Sequence, residues 1–177
     1  AGAPAAHLYD VSVTVEESVT DGQVVSMPAW SPGSYMIRDY SRNIVSIRAE
    51  SDGLDVALRK LDKSRWQAAA VDRPITVVAQ IFAYDLSVRG AHLDTTHAYF
   101  NGPCVFLAVE GQEDRPCELE IVAPGIKQAR DWRVATSMRC KGAEKYGFGT
   151  YEAADYAELI DHPVEAGQLS IGEFEAN

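Results

Sequence analysis

Alternation of apolar and polar side chains is the feature that most constrains how this chain folds. Two long segments, residues 7–16 and 74–85, alternate along most of their length. Successive side chains of a β-strand point to opposite faces, so this period of two predicts half-buried strands of antiparallel sheets. Shorter segments with strand character are residues 23–29, 43–50, 54–58, 65–67, 117–122, 132–136 and 168–177.

The segments between these strands supply turn signals and one uninterrupted apolar run. Asp21-Gly22 and Asp52-Gly53 are dipeptides typical of β-hairpin turns. Residues 104–109 are apolar throughout, which predicts a central strand covered on both faces.

Helical spacing indicates one late helix. Tyr156, Leu159 and Ile160 fall at i, i+3 and i+4, which predicts a short helix over residues 154–161. Thr150 is a candidate N-terminal cap, and Pro163, which follows the predicted helix, is a stop signal. Strands separated by turn signals and followed by a single helix predict an all-β fold, an antiparallel sandwich of two sheets.

The charge and the cysteine content of the chain exclude some classes of function. With 26 acidic and 16 basic residues the formal net charge is -10, which disfavours binding to nucleic acid or to anionic membranes. The three cysteines, Cys104, Cys117 and Cys140, lack metal-type spacing, so buried free thiols are expected. No charged-then-apolar leader and no apolar run of membrane-spanning length occur, which points to the cytoplasm.

Residues 30–43 are rich in aromatic side chains yet show neither strand nor helix periodicity. Pro32 and Gly33 predict a type II turn, because proline presets the first central φ and glycine supplies a positive φ at the second. One interpretation is a packed corner with buried aromatic rings, in which the arginines bind the aspartate and loop carbonyls. The other is a binding rim that presents aromatic faces and guanidinium groups to a partner. We expect the packed corner, which consists of Trp30, Pro32, Gly33, Tyr35, Arg38, Asp39 and Tyr40.

A second conspicuous segment, residues 84–102, lies between two strong strand signals and is long for a hairpin. His92, Asp94 and His97 are residue types that bind zinc, but the segment offers no fourth ligand, so no metal site is assigned. The alternatives are a polar loop with local hydrogen bonds and a loop that borders the active site of another domain. The sequence has no His-Glu-x-x-His pattern, no Gly-x-Ser-x-Gly elbow and no phosphate-binding glycine loop, so no catalytic residue is assigned.

Five segments together carry a family resemblance. They are residues 27–40, 83–90, 99–102, 155–165 and, more weakly, 132–136. In order and spacing they resemble the N-terminal domain of the glycyl aminopeptidase family of zinc metallopeptidases, and they extend over nearly the whole chain.

The resemblance implies that residues 1–177 are a single saddle-shaped N-terminal β domain of a larger enzyme. It implies a parent with a thermolysin-like catalytic domain, which holds the zinc, and a PDZ domain, and both are absent from this sequence. Hydrolysis of N-terminal glycine or alanine is implied for the parent. This chain alone is expected to be inactive and without a cofactor. Its implied partners are its own catalytic domain and the amino end of a peptide substrate.

By position, residues 92–101 resemble a loop that approaches the substrate's amino end in the related clan. The residues implied at this border are His92, Asp94, His97, Tyr99, Phe100 and Asn101. Tyr99 and Phe100 are bulky enough to fill the first side-chain pocket, as a preference for small residues requires. The alternative is that both begin a buried strand.

Two other classes of function stay open at this point. One is a β-sandwich module that binds a protein or a peptide through an edge strand or through the aromatic corner. The other is a free-standing hydrolase with a Cys–His pair or a metal site.

Overall fold

The computed structural model describes residues 2–172, which form fifteen β-strands, one α-helix and four short 3-10 turns. The strands are Leu8–Val15 (β1), Val24–Ser26 (β2), Ile44–Ser51 (β3), Leu54–Val56 (β4), Leu58–Lys60 (β5), Arg65–Ala68 (β6), Ile75–Phe82 (β7), Ala91–Leu93 (β8), His97–Phe100 (β9), Ala108–Val109 (β10), Cys117–Ile121 (β11), Arg133–Thr136 (β12), Arg139–Cys140 (β13), Gly149–Ala153 (β14) and Val164–Gly167 (β15). The helix is Tyr156–Asp161 (α1), and the turns are Pro4–Ala6, Tyr40–Asn43, Gly102–Cys104 and Lys127–Ala129. The predicted all-β fold with one short helix is confirmed. Within the described residues, no helix has the length and apolar character needed to cross a membrane.

The described strands form four antiparallel sheets where the sequence predicted two. Their strand orders are β1-β7-β3-β4, β10-β2-β6-β5, β11-β14-β13 and β12-β15-β9-β8. In the first sheet β7 is central, paired with β1 on one side and with β3 on the other. Its alternate residues Ile75, Val77, Ala79 and Ile81 are completely buried, so the longest alternating pattern identified a core strand correctly.

One continuous core joins the four sheets. Its buried side chains include Val25 of β2, Trp66 of β6, Ile75 of β7, Tyr151 of β14 and Val164 of β15. Burial of this apolar surface is the main favourable contribution to folding, and it holds the surface loops on a single body.

The two Asp-Gly dipeptides have different outcomes. Asp52 and Gly53 both have positive φ, 49° and 76°, and they join β3 to β4 in the predicted hairpin. Gly22 also ends a turn, since its amide donates to the Val19 carbonyl at 3.0 Å. However, β1 pairs with β7, and β2 pairs with β6 and β10, so the predicted hairpin of β1 and β2 is wrong. A turn dipeptide specifies the local backbone but not the partner strand.

The apolar run at residues 104–109 is buried as predicted but is not one strand. Gly102–Cys104 forms a 3-10 turn, residues 105–107 form no strand, and only Ala108–Val109 pairs, with β2. The sequence signal was misread because a continuous apolar run indicates burial and does not distinguish one backbone conformation from another.

The helix is placed correctly but its predicted cap is wrong. Asp155 caps α1, with Oδ1 accepting from the Glu158 amide at 2.7 Å, whereas Thr150 lies in β14. The helix ends at Asp161, two residues before Pro163, as predicted. The weak strand predicted at residues 168–177 is absent from 168–172, and its remainder lies outside the described residues.

Candidate functional site

Tyr40 fixes the corner loop, residues 30–39, on the body of the domain. Its side chain is buried as predicted, and its hydroxyl hydrogen-bonds to the hydroxyl of Ser31 at the start of the loop. It also donates to the Arg89 carbonyl, 3.2 Å away. Within the loop the Ser34 amide donates to the Ser31 carbonyl at 3.0 Å, and Gly33 has a φ of 73°. The predicted turn is therefore confirmed, with the positive φ that type II requires.

The other two aromatic side chains of the corner loop lie in solvent, so their predicted burial is wrong. Trp30 is 45% exposed, although its ring nitrogen donates to the Ser34 carbonyl at 2.6 Å, and Tyr35 is fully exposed. Met36 and Ile37 are 62% and 68% exposed. Within the loop Ser31 and Ser34 are buried, whereas the residues between them and residues 35–37 are exposed. The tip of the loop therefore has the exposed aromatic and apolar side chains of the binding-rim interpretation.

The charged residues of the corner do not pair as predicted. Asp39 binds Lys63, with Oδ1 and Nζ 2.7 Å apart, instead of an arginine. The Nε atom of Arg38 is buried and has no hydrogen-bond partner within residues 2–172.

Residues 84–90 form a second exposed loop, which we call the second loop. The Val88 carbonyl accepts from the Tyr99 hydroxyl at 2.7 Å, and the Arg89 carbonyl accepts from the Cys104 thiol at 3.2 Å. The backbone of the loop is thus held in place, while the side chains of Leu86 and Val88 are exposed. We call the exposed apolar side chains of the two loops the loop face: Tyr35, Met36, Ile37, Tyr84, Leu86 and Val88.

A pocket of about 280 Å³ lies between the two loops and is the centre of the candidate site. Met36 and Ile37 line it from the corner loop, and Tyr84 lines it from the second loop. Three arginines, Arg38, Arg42 and Arg89, also contribute to its walls. Both segments are unusual in the sequence, but the pocket is not predictable from it, because nothing in the sequence places residues 38 and 89 in one pocket.

Residues 91–100 form a β-hairpin, which corrects the prediction of a loop at this position. In the pairing of β8 with β9, Ala91 lies opposite Phe100 and Leu93 lies opposite Ala98. Asp94 forms the turn by accepting from the amides of Thr96 and His97 at 2.7 and 2.9 Å. Burial acts to raise the pKa of Asp94, but hydrogen bonds from Thr96, from the His92 ring and from the His97 amide outweigh burial and lower it.

The histidines of this hairpin contact each other and nearby carboxylates. The ring centroids of His92 and His97 are 5.8 Å apart. The Nε2 atom of His92 lies 3.2 Å from the Asp94 carboxylate, and the Nε2 atom of His97 lies 3.0 Å from the Glu165 carboxylate. His92 is buried, and its Nδ1 has no hydrogen-bond partner in the described residues. Across residues 2–172, no group of three or more His, Cys, Asp or Glu side chains is placed to hold a metal ion.

The residues at the end of β9 have two different environments. Phe100 packs between Tyr9 and Phe106, with ring centroids 5.6 and 5.5 Å away. This packing agrees with the interpretation in which Phe100 begins a buried strand. Tyr99 and Asn101 instead direct polar groups to the second loop. Like the Tyr99 hydroxyl, the Asn101 side-chain amide donates to the Val88 carbonyl, at 3.2 Å.

The cysteines differ in exposure but all three thiols are free. Cys104 is buried as predicted, while Cys117 is half-buried and Cys140 is exposed. Burial raises the pKa of Cys104 to about 12 and also raises the pKa of Cys117. Because the thiolate is the reactive form of cysteine, neither environment activates a nucleophile.

Comparison with known proteins identifies the family. The sequence matches the peptidase M61 N-terminal domain over residues 1–168. The chain belongs to this family. A crystal structure of an aminopeptidase N family protein from Idiomarina loihiensis is similar to this M61 domain, with a TM-score of 0.93 and 44% identity over 98% of the chain. The match covers 29% of that protein, so the M61 domain spans less than a third of it. No curated protein matches the chain.

Three of the segments that carry the resemblance form or hold the two loops of the M61 domain. Residues 27–40 contain the corner loop, residues 83–90 contain the second loop, and residues 99–102 supply the side chains that hold the second loop. Two of the five resembling segments therefore line the pocket, and a third holds the second loop in place.

Proposed function

We propose that this M61 domain is the non-catalytic N-terminal domain of a zinc aminopeptidase and that it packs on the catalytic domain of the same polypeptide through the loop face. The observation that carries the proposal is the match to an aminopeptidase N family protein of which this domain covers 29%. A longer polypeptide of that kind supplies a partner surface that is always present at high local concentration.

The loop face has the properties of a docking surface. Met36, Ile37, Leu86 and Val88 are each more than 60% exposed, and exposed apolar patches on soluble domains mark interaction sites. Because the backbone of both loops is held by buried or half-buried tyrosines, little conformational entropy is lost on docking. Apolar side chains on a rigid framework are what the core of an interface requires.

The β8–β9 hairpin supports a position beside the substrate. It directs Tyr99 and Asn101 to the loop that carries part of the loop face. We propose that in the docked state these two residues, with the turn formed by His92, Asp94 and His97, border the amino end of the peptide, while Phe100 supports the hairpin from the core. A preference for N-terminal glycine or alanine, a thermolysin-like zinc domain and a PDZ domain are proposed for the longer protein on the motif resemblance.

Separately produced parts of the longer protein test the docking. The 177-residue chain is titrated into the remainder of the protein, and association is measured by isothermal titration calorimetry. Ile37→Asp and Leu86→Asp should each weaken association at least about tenfold, because each would bury an unpaired carboxylate in the interface. Leu54→Asp is the matched control, since Leu54 is 65% exposed on β4, and it should leave the affinity unchanged.

The same mixtures provide a second readout. The complex should release the chromophore of a glycyl p-nitroanilide substrate, and the zinc-loaded 177-residue chain alone should not. Equal affinities for all three variants would contradict docking through the loop face. Hydrolysis by the chain alone would contradict the non-catalytic role.

A further inference from the structure

We propose that the pocket between the corner loop and the second loop is a binding site for a monocarboxylate. This proposal goes beyond the docking role and does not depend on it. It rests on the charge of the pocket, on one buried donor, on the hydrogen bonds that hold the walls and on three apolar side chains beside the arginines.

The pocket concentrates positive charge, because three arginines and one aspartate line it. Arg38, Arg42 and Arg89 line it, and within residues 2–172 none of the three has a carboxylate oxygen within 4.0 Å. Elsewhere some arginines pair with carboxylates, as Arg65 does with Glu110 at 2.6 Å and Arg73 with Asp52 at 2.7 Å, whereas Arg59, Arg130 and Arg133 do not within the described residues; what distinguishes the pocket is that three such arginines lie together. The whole chain has a net charge of -10, so a pocket lined by three arginines is opposite in charge to the chain as a whole. A guanidinium group binds carboxylates through paired hydrogen bonds.

Arg38 supplies the strongest single indication of a ligand. Its Nε atom is buried without a hydrogen-bond acceptor in the described residues. A buried N–H group that has lost its water and gained no partner is destabilising, so such groups nearly always have an acceptor in a folded protein. Arg38 also lines the pocket, so a turn of its guanidinium group toward an oxygen atom bound there would give this N–H group an acceptor.

The acidic residue of the pocket does not provide that oxygen. Asp85 lines the same pocket, but its carboxylate accepts from the amide of Ser87 at 2.8 Å and from its hydroxyl at 3.2 Å. It also lies against Gly90, where a Cβ would come within 2.7 Å of the carboxylate carbon. Asp85 is thus turned onto its own loop, and it forms no ion pair with the three arginines.

The walls of the pocket are set before a ligand arrives. The Arg89 carbonyl accepts from both the Tyr40 hydroxyl and the Cys104 thiol, each at 3.2 Å. The first hydrogen bond joins the second loop to the base of the corner loop, and the second joins it to the turn Gly102–Cys104. A site whose backbone is already ordered loses less entropy on binding.

The size of the pocket and the apolar side chains among its mostly polar walls favour a carboxylate on a short apolar chain. A volume of about 280 Å³ is at the small end for ligand pockets. Met36, Ile37 and Tyr84 line it beside the arginines, and these side chains do not replace the water that phosphate loses on binding. The carboxylate has two sources, a free small molecule or an acidic side chain of the longer polypeptide.

Nuclear magnetic resonance of the 177-residue chain tests the proposal with butyrate as the probe. Butyrate should shift the Arg38 Nε–H resonance saturably, and the neutral isostere butyramide should not. Arg38→Gln and Arg89→Gln should each weaken butyrate binding by about tenfold to a hundredfold, the effect of removing a hydrogen bond to a charged group. Arg130→Gln is the matched control, because Arg130 is exposed and does not line the pocket, and it should bind butyrate like the original chain. If Arg38→Gln does not fold, Arg89→Gln makes the same test.

The proposal is overturned if butyrate produces no saturable shift, if butyramide or inorganic phosphate binds as tightly, or if the two pocket variants bind like Arg130→Gln. The longer protein then separates the two sources. Butyrate binding that persists there identifies a free carboxylate as the ligand, and its loss identifies a carboxylate of the same polypeptide. If the chain binds butyrate but does not associate with the remainder of the protein in the calorimetric experiment, only the docking proposal is contradicted.

Discussion

A single hydroxyl group, that of Tyr40, connects both loops of the candidate site to the domain. Burial raises the pKa of Tyr40, although its hydrogen bond with Ser31 opposes the shift. The hydroxyl therefore stays protonated at neutral pH and continues to donate to the Arg89 carbonyl. The Cys104 thiol, whose pKa burial raises to about 12, donates to the same carbonyl for the same reason. The geometry of the pocket is thus insensitive to pH near neutrality.

Asp94 should titrate below the ordinary aspartate value of 3.8. Burial opposes ionisation, but the hydrogen bonds that the folded hairpin provides favour the carboxylate more strongly, so the folded state binds the proton more weakly than the unfolded state. The resulting stabilisation is present above the unfolded pKa and is lost as the pH falls through the lowered folded pKa. The measurement is a carbon-13 titration of the Asp94 carboxyl.

Two neighbouring threonines provide the test of the cause. Thr96→Val should raise the pKa of Asp94, because the Thr96 hydroxyl donates to its carboxylate at 2.7 Å. Thr95→Val should leave that pKa unchanged, because the hydroxyl of Thr95 makes no such bond. An Asp94 that titrates at the ordinary value in the original chain would contradict the role of the turn hydrogen bonds.

At the scale of the secondary-structure elements, the sequence predicted those features that local patterns determine. The alternation at residues 7–16 and 74–85 identified β1 and β7, and apolar residues at helical spacing identified α1. The pairing of β1 with β7 was not predictable in the same way, because the Asp-Gly turn after β1 is local and the contact with β7 is not. The prediction of a central strand at residues 104–109 was wrong, because an apolar run indicates burial but not the backbone conformation.

The cap of α1 gives a prediction at this scale. Asp155→Ala should reduce the free energy of unfolding by about 1 kcal/mol, the usual effect of losing an N-cap hydrogen bond, since Asp155 accepts from the Glu158 amide. Asp155→Ser should retain most of the stability, because serine also caps helices. The control is Asp161→Ala at the opposite end of α1, which should not destabilise, because a carboxylate is unfavourable at a helix C-terminus. Urea denaturation measures all three, and equal losses at both ends would contradict the assignment of the cap.

At the scale of the whole molecule, the candidate site could be predicted only in part. The sequence identified the corner and the segment after β7 as unusual, and it correctly expected Tyr40 to be an anchor. It did not predict the exposure of Trp30 and Tyr35, because burial of a loop side chain depends on how far the loop projects from a core formed elsewhere. The pocket requires two loops to meet that are separated in the sequence by strands β3 to β7, and only the folded topology determines that contact.

The shared core predicts that the four sheets unfold as one unit. Trp66 lies in β6 of the sheet β10-β2-β6-β5, Trp132 lies next to β12 of the sheet β12-β15-β9-β8, and both belong to one cluster of buried side chains. Because that cluster is continuous, opening one sheet exposes apolar surface of the others, which makes partial unfolding unfavourable.

Two variants with one buried tryptophan each test this cooperativity. Trp30→Phe/Trp132→Phe leaves Trp66 as the fluorescent probe, and Trp30→Phe/Trp66→Phe leaves Trp132. In each variant the urea midpoint from fluorescence should coincide with the midpoint from far-ultraviolet circular dichroism, since a two-state transition has one midpoint for every probe. Comparing the two probes within each variant removes the effect of the substitutions on stability. Midpoints that separate in either variant would show that the sheets are independent folding units and that the chain is not a single domain.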